Sequence, residues 1–364
     1  MIEKAFLENV LRRFGLTAAE TPERYGCGHI NDTFLAHVGG KAYVLQRLSP
    51  AAFHAPEKVM ENIAGVTARL RESILRRGGN PERETLTLLP ADDGRLFIKD
   101  ADGSTWRLTL YIDGARVYQQ AENETVFREA GRAFGGFLRD LADYPAETLH
   151  ETIPHFHDTP SRVEALREAV RKDAAGRLAQ VGPEVEFALA RAPRAGELTD
   201  ALARGELPLR VTHNDTKLNN VLLDAETGRA LCVLDLDTVM PGLCAYDFGD
   251  AIRFGANTAS EDEAELDKVH FSLPMYKAYL SGYVSAADGM LTAAEVASLP
   301  VGAWMMTYEC GTRFLTDFLN GDTYFHTAYP THNLVRARNQ FALLQDMERQ
   351  ADAMRACGET LTEG

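Results

Sequence analysis

Residues 209–237 read LRVTHNDTKLNNVLLDAETGRALCVLDLD, and this stretch decides the fold. Its first part is rich in polar groups and places Asp215 five residues before Asn220. Two apolar runs then surround a turn at 225–228, which is typical of a tight β-hairpin. The second run leads into Asp235 and Asp237. The pattern therefore predicts a hairpin that folds Asp235 back beside Asn220.

Phosphoryl transfer explains why these residue types occur together. A carboxylate must align the attacking hydroxyl and take its proton, a task that suits Asp215. Asn220 and Asp235 offer the oxygen ligands that Mg²⁺ accepts. Lys217 is placed to reach a phosphate and to offset charge during transfer. Asp237 is either a further metal ligand or a hydrogen-bonded structural carboxylate, and the sequence leaves both open.

The part of the chain before residue 113 is rich in β-strand patterns and glycine turns. The predicted elements are a helix at 6–14, a hairpin around Gly39 and Gly40, a helix at 56–76, a strand at 86–89, and a hairpin around Asp102 and Gly103. Residues 1–112 are therefore predicted to form a small, mostly antiparallel lobe that binds the nucleotide.

Asp113 and Gly114 mark a hinge, after which helical periodicity dominates. Residues 127–137 place their apolar side chains on one helical face. A further helix is predicted to begin at Thr159, with Thr159 as its cap and Pro160 at the first position. Residues 113–364 are thus predicted to form a larger, mainly helical lobe for catalysis and substrate binding, and the fold class is α+β.

Composition excludes several classes of partner and compartment. The formal net charge is −15, which argues against nucleic acid and anionic membranes as partners. The five cysteines form no CxxC pair, so we expect neither zinc nor secretion. The N-terminal residues do not follow a signal-peptide pattern, and no apolar run approaches a membrane span. We expect a cytoplasmic monomer or weak homodimer that acts on a small molecule.

The segment from His213 to Asn220 resembles the H-x-D-x-x-x-x-N catalytic loop of protein kinases and aminoglycoside phosphotransferases. Across nearly the whole chain, and in order, further motifs resemble the N-acetylhexosamine 1-kinases of that superfamily. The matching segments are 29–31, 155–160, 212–220, 235–238, 247–250, 253–255, 309–314 and 332–336. The resemblance implies a two-lobed kinase-like fold, with ATP and Mg²⁺ between the lobes. It also implies phosphorylation of the anomeric hydroxyl of N-acetylglucosamine or N-acetylgalactosamine.

The resemblance also assigns a set of residues to the sugar site, and Phe254 offers that site an apolar surface. The set is His29, Asp250, Arg253, Phe254, Arg313 and Tyr324. A structural alternative for Arg313 is a pair with Asp317 one helical turn away. Asp247-Phe248-Gly249 spells the metal-binding triplet of protein kinases. We instead expect Asp247 to cap or anchor the next helix, because Asp235 closes the hairpin adjacent to Asn220.

The expected nucleotide contacts are less complete. Gly26 and Gly28 fit a loop whose backbone amides approach phosphates. The strand at 43–47 carries Gln46 where protein kinases have a phosphate-binding lysine, and Arg47 points to the opposite face. Tyr111 and Ile112 are expected at the lobe junction, where adenine would receive backbone hydrogen bonds.

Two rival functions remain open at this stage. Homoserine, choline, aminoglycosides and methylthioribose are phosphorylated by enzymes that share the same loop, and a cationic substrate would call for a pocket lined by carboxylates. A non-catalytic nucleotide-binding regulator is the second rival. His213, His155 and His157 are interpreted as structural residues.

Overall fold

The structure, a computed structural model, describes residues 4–17, 21–26, 31–50 and 53–362. The chain forms two compact units, each assembled from three stretches. Unit 1 contains Met1–Arg116, Asp143–Ile153 and Val221–Met240, and unit 2 contains Val117–Ala142, Pro154–Asn220 and Pro241–Gly364. The chain first leaves unit 1 after Arg116, close to the expected hinge. The single division between residues 112 and 113 stays a prediction.

Unit 1 is built on a five-stranded antiparallel sheet. Its strands are β1 (Glu23–Arg24), β2 (Asp32–Val38), β3 (Lys41–Arg47), β4 (Ile98–Lys99) and β5 (Thr105–Leu110). The spatial order is β1-β2-β3-β5-β4. Gly39 and Gly40 join β2 to β3 with φ values of 58° and 79°, a conformation that glycine adopts without steric cost. Both predicted hairpins are confirmed.

The sheet is accompanied by the α-helices α1 (Lys4–Arg13), α2 (Pro56–Arg76) and α3 (Pro81–Glu84). The apolar side of α1 packs with Leu45, Trp106 and Leu108 in one core. Strand alternation places Tyr43 and Leu45 toward this core and turns Gln46 to the opposite side of the sheet. The helix predicted at 56–76 is confirmed as α2, with the same first and last residues.

The predicted strand at 86–89 is wrong. Leu88 forms only an isolated bridge with Thr109. Leu89 N–H donates to Leu108 O, and Leu110 N–H donates to Thr87 O, both at 2.9 Å. Pro90 follows at once and has no N–H to continue the pairing, so the segment stays too short for a strand.

The β-hairpin predicted within residues 209–237 is present. Strands β8 (Val221–Asp224) and β9 (Ala230–Val233) are antiparallel, and β6 (Ala115–Val117) lies beside β8. Val221, which directly follows Asn220, pairs with Val233, two residues before Asp235. The predicted hairpin register is therefore confirmed.

Unit 2 is mainly helical, which agrees with the pattern after residue 113. Its helices are α4 (Glu124–Asp140), α5 (Thr159–Lys172), α6 (Gly182–Arg191), α7 (Glu197–Ala203), α8 (Cys244–Gly255), α9 (Leu273–Ala287), α10 (Ala293–Leu319), α11 (His332–Arg349) and α12 (Ala351–Thr362). Strand β7 (Arg210–Thr212) pairs with β10 (Met240–Gly242), whose last two residues belong to this unit. Together with the antiparallel sheet of unit 1, this confirms the α+β class. No helix in the described part of the chain is both long and apolar enough to cross a bilayer.

One predicted cap is wrong. Helix α5 does begin at Thr159 with Pro160 in its first turn, but Asp158 is the cap, accepting from Ser161 N–H. The Thr159 hydroxyl instead donates to buried Glu309 at 2.6 Å. Thr159 thus binds a carboxylate that is distant in sequence instead of capping the helix, and the local sequence pattern could not reveal this contact.

Close helix contacts in unit 2 depend on glycine. A Cβ atom on Gly249 of α8 would collide with the carbonyl oxygen of Gly302 on α10, and one on Gly302 with that of Ala245. The glycine of the Asp247-Phe248-Gly249 triplet therefore serves helix packing. A packing role for this glycine agrees with the expectation that the triplet does not bind a metal ion.

Candidate active site

The loop that follows β7 is anchored by hydrogen bonds to the side chain of Asp247. This residue lies in the first turn of α8 and accepts the backbone N–H groups of His213 at 2.8 Å and Asn214 at 2.7 Å. Burial raises the pKa of Asp247, although the two N–H donors and His213 act in the opposite direction. Asn214 takes a left-handed conformation with φ 66°. Asp247 thus anchors the loop before the helix that contains it.

His213 has the structural surroundings that the sequence analysis expected. Its ring is buried and packs edge-on against Phe134 and Phe137 of α4, at centroid distances of 5.3 and 5.9 Å. Its Nδ1 accepts the backbone N–H of Asp215 at 3.3 Å. His213 therefore orients the backbone from which the Asp215 side chain projects.

Asp215, Lys217 and Asn220 form one hydrogen-bonded group. Asp215 Oδ1 lies 2.7 Å from Lys217 Nζ. Asn220 Nδ2 donates to Asp215 Oδ2 at 2.9 Å and to its backbone carbonyl at 2.8 Å. Asp215, followed by Asp250, raises the pKa of Lys217, so the ammonium stays charged. The carboxylate remains partly exposed while being held by a cation and an amide.

Asp250 and Arg253 lie beside this group in unit 2. Asp250 Oδ2 accepts Thr216 N–H at 3.1 Å, and its Oδ1 accepts from Arg253 Nη2 at 2.9 Å. Arg253 also binds Glu261, a residue that the sequence analysis missed, at 2.5 Å. Burial alone would raise the pKa of Asp250, but Arg253 and then Lys217 lower it overall. Phe254, the next predicted residue, is partly buried.

Arg313 and Tyr324 contact each other. The Arg313 guanidinium lies 5.7 Å from the Tyr324 ring centre, and its Nη2 is 3.5 Å from the hydroxyl. The Tyr324 ring is 70% exposed. Asp317 is not paired with Arg313 as the structural alternative proposed. It accepts the N–H groups of Tyr324 and Phe325, each at 2.9 Å, and the side chain of Asn333. Asp317 thus fixes the loop that presents Tyr324.

The two histidines of segment 155–160 have hydrogen-bonding partners. His157 Nδ1 lies 3.2 Å from Glu309 Oε1 in the interior of unit 2. His155 lies 2.9 Å from the capping carboxylate of Asp158. These contacts agree with their interpretation as structural residues.

The predicted nucleotide residues belong to unit 1. Gln46 hydrogen-bonds to Thr33 on β2 and to Arg107 on β5. Tyr111 donates its N–H to Ala42 O at 3.0 Å, so this N–H is already used within the sheet. Ile112 is buried with Leu222 and Cys232. Gly26 has φ 77° and open space beside its Cα. Gly28 and His29 lie outside the described residues.

Asp235 and Asp237 also belong to unit 1, in the turn after β9. Asp235 has φ 52° and begins the one-turn helix Leu236–Thr238. Asp237 forms a buried ion pair with Arg107 and accepts from Asn31 Nδ2 at 2.6 Å. Arg107 was missed by the sequence analysis. The signal available in the sequence was Gln46 at the position where protein kinases carry a lysine.

With this geometry established, comparison with known proteins identifies the family. Residues 22–279, more than half of the chain, match the Phosphotransferase enzyme family, APH. The chain belongs to this family. Its membership supports the kinase-like catalytic loop, while the finer resemblance to N-acetylhexosamine 1-kinases goes beyond what the match shows.

Solved structures share the fold of this phosphotransferase. A microcompartment-associated aminopropanol kinase aligns with a TM-score of 0.59 and 18% identity, over 97% of this chain and 99% of that one. Spectinomycin phosphotransferase, solved with ADP and spectinomycin, aligns with a TM-score of 0.60 and 12% identity over 97% and 99%. Choline kinase from Cryptosporidium parvum aligns with a TM-score of 0.55 and 13% identity over 91% and 90%. At these identities the likeness concerns the fold alone.

Proposed function

We propose that this phosphotransferase is an ATP- and Mg²⁺-dependent sugar 1-kinase. It transfers the γ-phosphoryl group to the anomeric hydroxyl of N-acetylglucosamine or N-acetylgalactosamine and yields the sugar 1-phosphate. The observation that carries the chemical part is the Asp215 carboxylate, held by Lys217 at 2.7 Å and Asn220 at 2.9 Å while still partly exposed.

Asp215 is the proton acceptor in this proposal. Its backbone is fixed by His213 and its carboxylate by Asn220, so the accepting oxygen is oriented before a substrate arrives. An anomeric hydroxyl is more acidic than an ordinary alcohol, and a carboxylate of ordinary basicity therefore suffices. Lys217, whose pKa is raised by Asp215, keeps its charge and stabilises the negative charge of the moving phosphoryl group.

The residues fit a magnesium ion bound together with a nucleotide. Asn220 uses its amide nitrogen toward Asp215, which leaves its oxygen, the metal-binding atom, outside those bonds. Within the described ranges, no three His, Cys, Asp or Glu side chains form a metal-binding group. Mg²⁺ commonly takes one or two carboxylates and completes its shell with phosphates and water. Asn220 and Asp235 would hold the ion, and the ion would neutralise charge on the β- and γ-phosphates.

ATP is proposed as the donor because spectinomycin phosphotransferase, which shares the fold, was solved with ADP and with AMP. The proposed nucleotide contacts are Gly26, Gly28, Gln46, Tyr111 and Ile112. With the Tyr111 N–H bound to Ala42, adenine would use the remaining backbone groups of residues 111 and 112.

Charge pairing in unit 2 favours a neutral acceptor. Asp215 is paired with Lys217, and Arg253 pairs with both Asp250 and Glu261. An ammonium substrate would have to compete with these cations for each carboxylate, although the one guanidinium shared by Asp250 and Glu261 leaves a net charge of −1 there. Arg313 and the exposed Tyr324 ring instead offer hydrogen-bond donors and an aromatic surface, which suit hydroxyl and amide groups. His29, Asp250, Arg253 and Phe254 complete the proposed sugar contacts.

The test is ADP release from Mg-ATP with N-acetylglucosamine, N-acetylgalactosamine, glucose, galactose, homoserine, choline, aminopropanol and kanamycin. Asp215→Asn is the inactive variant, and Asp352→Asn is its matched control because the Asp352 side chain is 97% exposed. Turnover confined to the acetylated sugars, with phosphate found on C1, is the expected result. Turnover confined to the amines would overturn the sugar assignment. Nucleotide binding without turnover of any acceptor would indicate the regulator.

A further inference from the structure

Arg107 on β5 lies directly opposite Gln46, the β3 residue that stands where protein kinases carry a lysine. Strand β2 places Thr33 opposite Gln46 on the other side. The three side chains form a hydrogen-bonded row, because Arg107 Nε donates to Gln46 Oε1 at 2.9 Å and Gln46 Nε2 donates to Thr33 Oγ1 at 3.2 Å. Gln46 thus connects this row to a cation on the neighbouring strand.

The charge of Arg107 is buried and has one carboxylate partner of its own. Its side chain is 3% exposed and that of Asp237 is 4% exposed. Burial alone would lower the pKa of Arg107, but Asp237 and then Asp235 raise it overall. A buried cation needs such a partner, because an unpaired charge in the interior is costly. The two carboxylates of the turn therefore keep Arg107 charged.

Each carboxylate oxygen of Asp237 accepts from a protein donor. One oxygen binds Arg107 and the other accepts from Asn31 Nδ2 at 2.6 Å. Asn31 is fixed in turn, since its Oδ1 accepts Ser49 N–H at 3.0 Å. These bonds leave Asp237 poorly suited to ligate a metal and well suited to hold the turn that begins at Asp235.

The same turn is also held at Val239, on the other side of the one-turn helix. Asn62 of helix α2 donates to Val239 O at 3.0 Å and binds both backbone groups of His150. The three glutamates of α2 are used elsewhere, Glu57 with Lys99, Glu61 with His150 and Glu72 with Arg69. Asp237, rather than a helix glutamate, is therefore the counter-ion of the buried cation.

We propose that Arg107 is a positioning residue for the metal-binding carboxylate. Through its ion pair with Asp237 it fixes the turn that carries Asp235, and Asp237 serves as its counter-ion and not as a metal ligand. The inference rests on the proposed function, because it assigns Asp235 to the magnesium ion.

The test measures how the affinity for ADP depends on Mg²⁺ concentration, by titration calorimetry, together with the melting temperature. Arg107→Met is expected to raise the Mg²⁺ concentration needed for tight ADP binding by about 10- to 100-fold, the usual cost of losing a residue that orients a metal ligand. Arg95→Met is the matched control, because Arg95 lies in the same unit in an exposed pair with Asp93. Arg107→Lys should restore part of the Mg²⁺ affinity.

A double variant separates positioning from simple unfolding. Arg107→Met with Asp237→Leu removes both charges, and apolar replacement of a buried pair commonly restores stability. The double variant should melt near the wild-type temperature and still need the raised Mg²⁺ concentration of the single variants, because both residues act through one contact. The proposal is overturned if only Asp237 variants change the Mg²⁺ dependence, which is the behaviour of a direct ligand. It is equally overturned if the double variant regains wild-type Mg²⁺ affinity.

Failure of the proposed function gives a different result. Wild-type protein that binds no nucleotide in a Mg²⁺-dependent manner would overturn the kinase proposal and this inference together. Wild-type protein that does so, with the same Mg²⁺ dependence in every Arg107 variant that folds, would overturn the inference alone. The readout needs no acceptor, so an error in the sugar assignment does not affect it.

Discussion

The two ion pairs on which the proposals rest have opposite environments. Lys217 and Asp215 in unit 2 have side chains that are 35% and 28% exposed, whereas Arg107 and Asp237 in unit 1 are 3% and 4% exposed. Exposed pairs contribute little to stability, because water screens them. The two partners of a buried pair depend strongly on each other, because neither charge can return to water without unfolding. An exposed pair can exchange its partner for a substrate, and a buried one can fix a segment.

This contrast matches the hydrogen bonding of each carboxylate. Asp215 keeps partial exposure and has neighbours that a substrate hydroxyl and phosphate could join. Asp237 has each oxygen bound to a protein donor. The exposed pair is therefore assigned to chemistry and the buried pair to positioning, and the predictions below would break or sharpen that assignment.

The largest effect is expected at the exposed pair. Asp215→Asn removes the proton acceptor while preserving the shape, so kcat should fall by about 100- to 10,000-fold. The melting temperature should stay close to that of the Asp352→Asn control, because an exposed pair adds little stability. Steady-state ADP release and differential scanning fluorimetry measure the two quantities. A large loss of stability with kcat preserved would reverse the assignment.

The buried pair is expected to show the converse. Arg107→Met leaves Asp237 without its cation and should lower the free energy of unfolding by about 3–5 kcal/mol, as when one partner of a buried pair is removed. Chemical denaturation beside Arg95→Met measures this loss. A change below about 1 kcal/mol, the range of exposed pairs, would show that the Arg107–Asp237 pair is not isolated from water.

The group formed by Asp215, Lys217 and Asn220 was easier to predict from the sequence than the buried Arg107–Asp237 pair, for a physical reason. Asp215, Lys217 and Asn220 lie within six residues, so their chemistry is visible as one motif. The glycine hairpins were equally accessible, because turn conformation depends on adjacent residues. Asp237 was noticed, but both of its roles stayed open.

Arg107 could not be predicted in the same way. Its partners Gln46 and Asp237 are 61 and 130 residues away, and strand register decides that they meet. The same limit explains Thr159, which was predicted to cap α5 and instead donates to Glu309, 150 residues away. Local patterns specify elements and motifs, whereas buried polar contacts depend on packing.

A second buried pair tests whether the contrast holds within unit 2. Glu295 forms the capping box of α10 with the N-cap Thr292 and binds Arg210, the first residue of β7, through two bonds of 2.9 Å. Glu295→Gln should lower the free energy of unfolding at neutral pH by about 1.5–3 kcal/mol, the range for hydrogen bonds to charged groups. Urea denaturation beside Glu164→Gln is the measurement, because the Glu164 side chain is 64% exposed.

The pH dependence of this pair has a definite sign. Burial alone would raise the pKa of Glu295, but Arg210 and the Thr292 N–H group lower it below the ordinary value of 4.5. The folded state therefore binds this proton less readily than the unfolded state. The stability advantage of the wild type over Glu295→Gln should be complete above pH 4.5 and decline as the pH falls through the folded pKa. An advantage that is constant across this range would contradict the charged pair.

The smallest effect is expected at the most exposed residue of the proposed sugar site. Tyr324→Ala removes an aromatic surface worth about 0.5–1.5 kcal/mol, so the KM for the sugar should rise about 2- to 10-fold. The kcat should stay close to wild type, because contacts made equally in the ground and transition states change KM alone. Tyr324→Phe should have a smaller effect, since the hydroxyl makes only a 3.5 Å contact with Arg313. Tyr329→Ala is the control, because Tyr329 is also exposed and stacks on His332 instead. A fall in kcat with KM unchanged would place Tyr324 with the catalytic group, and equal effects of both alanine variants would remove it from the sugar site.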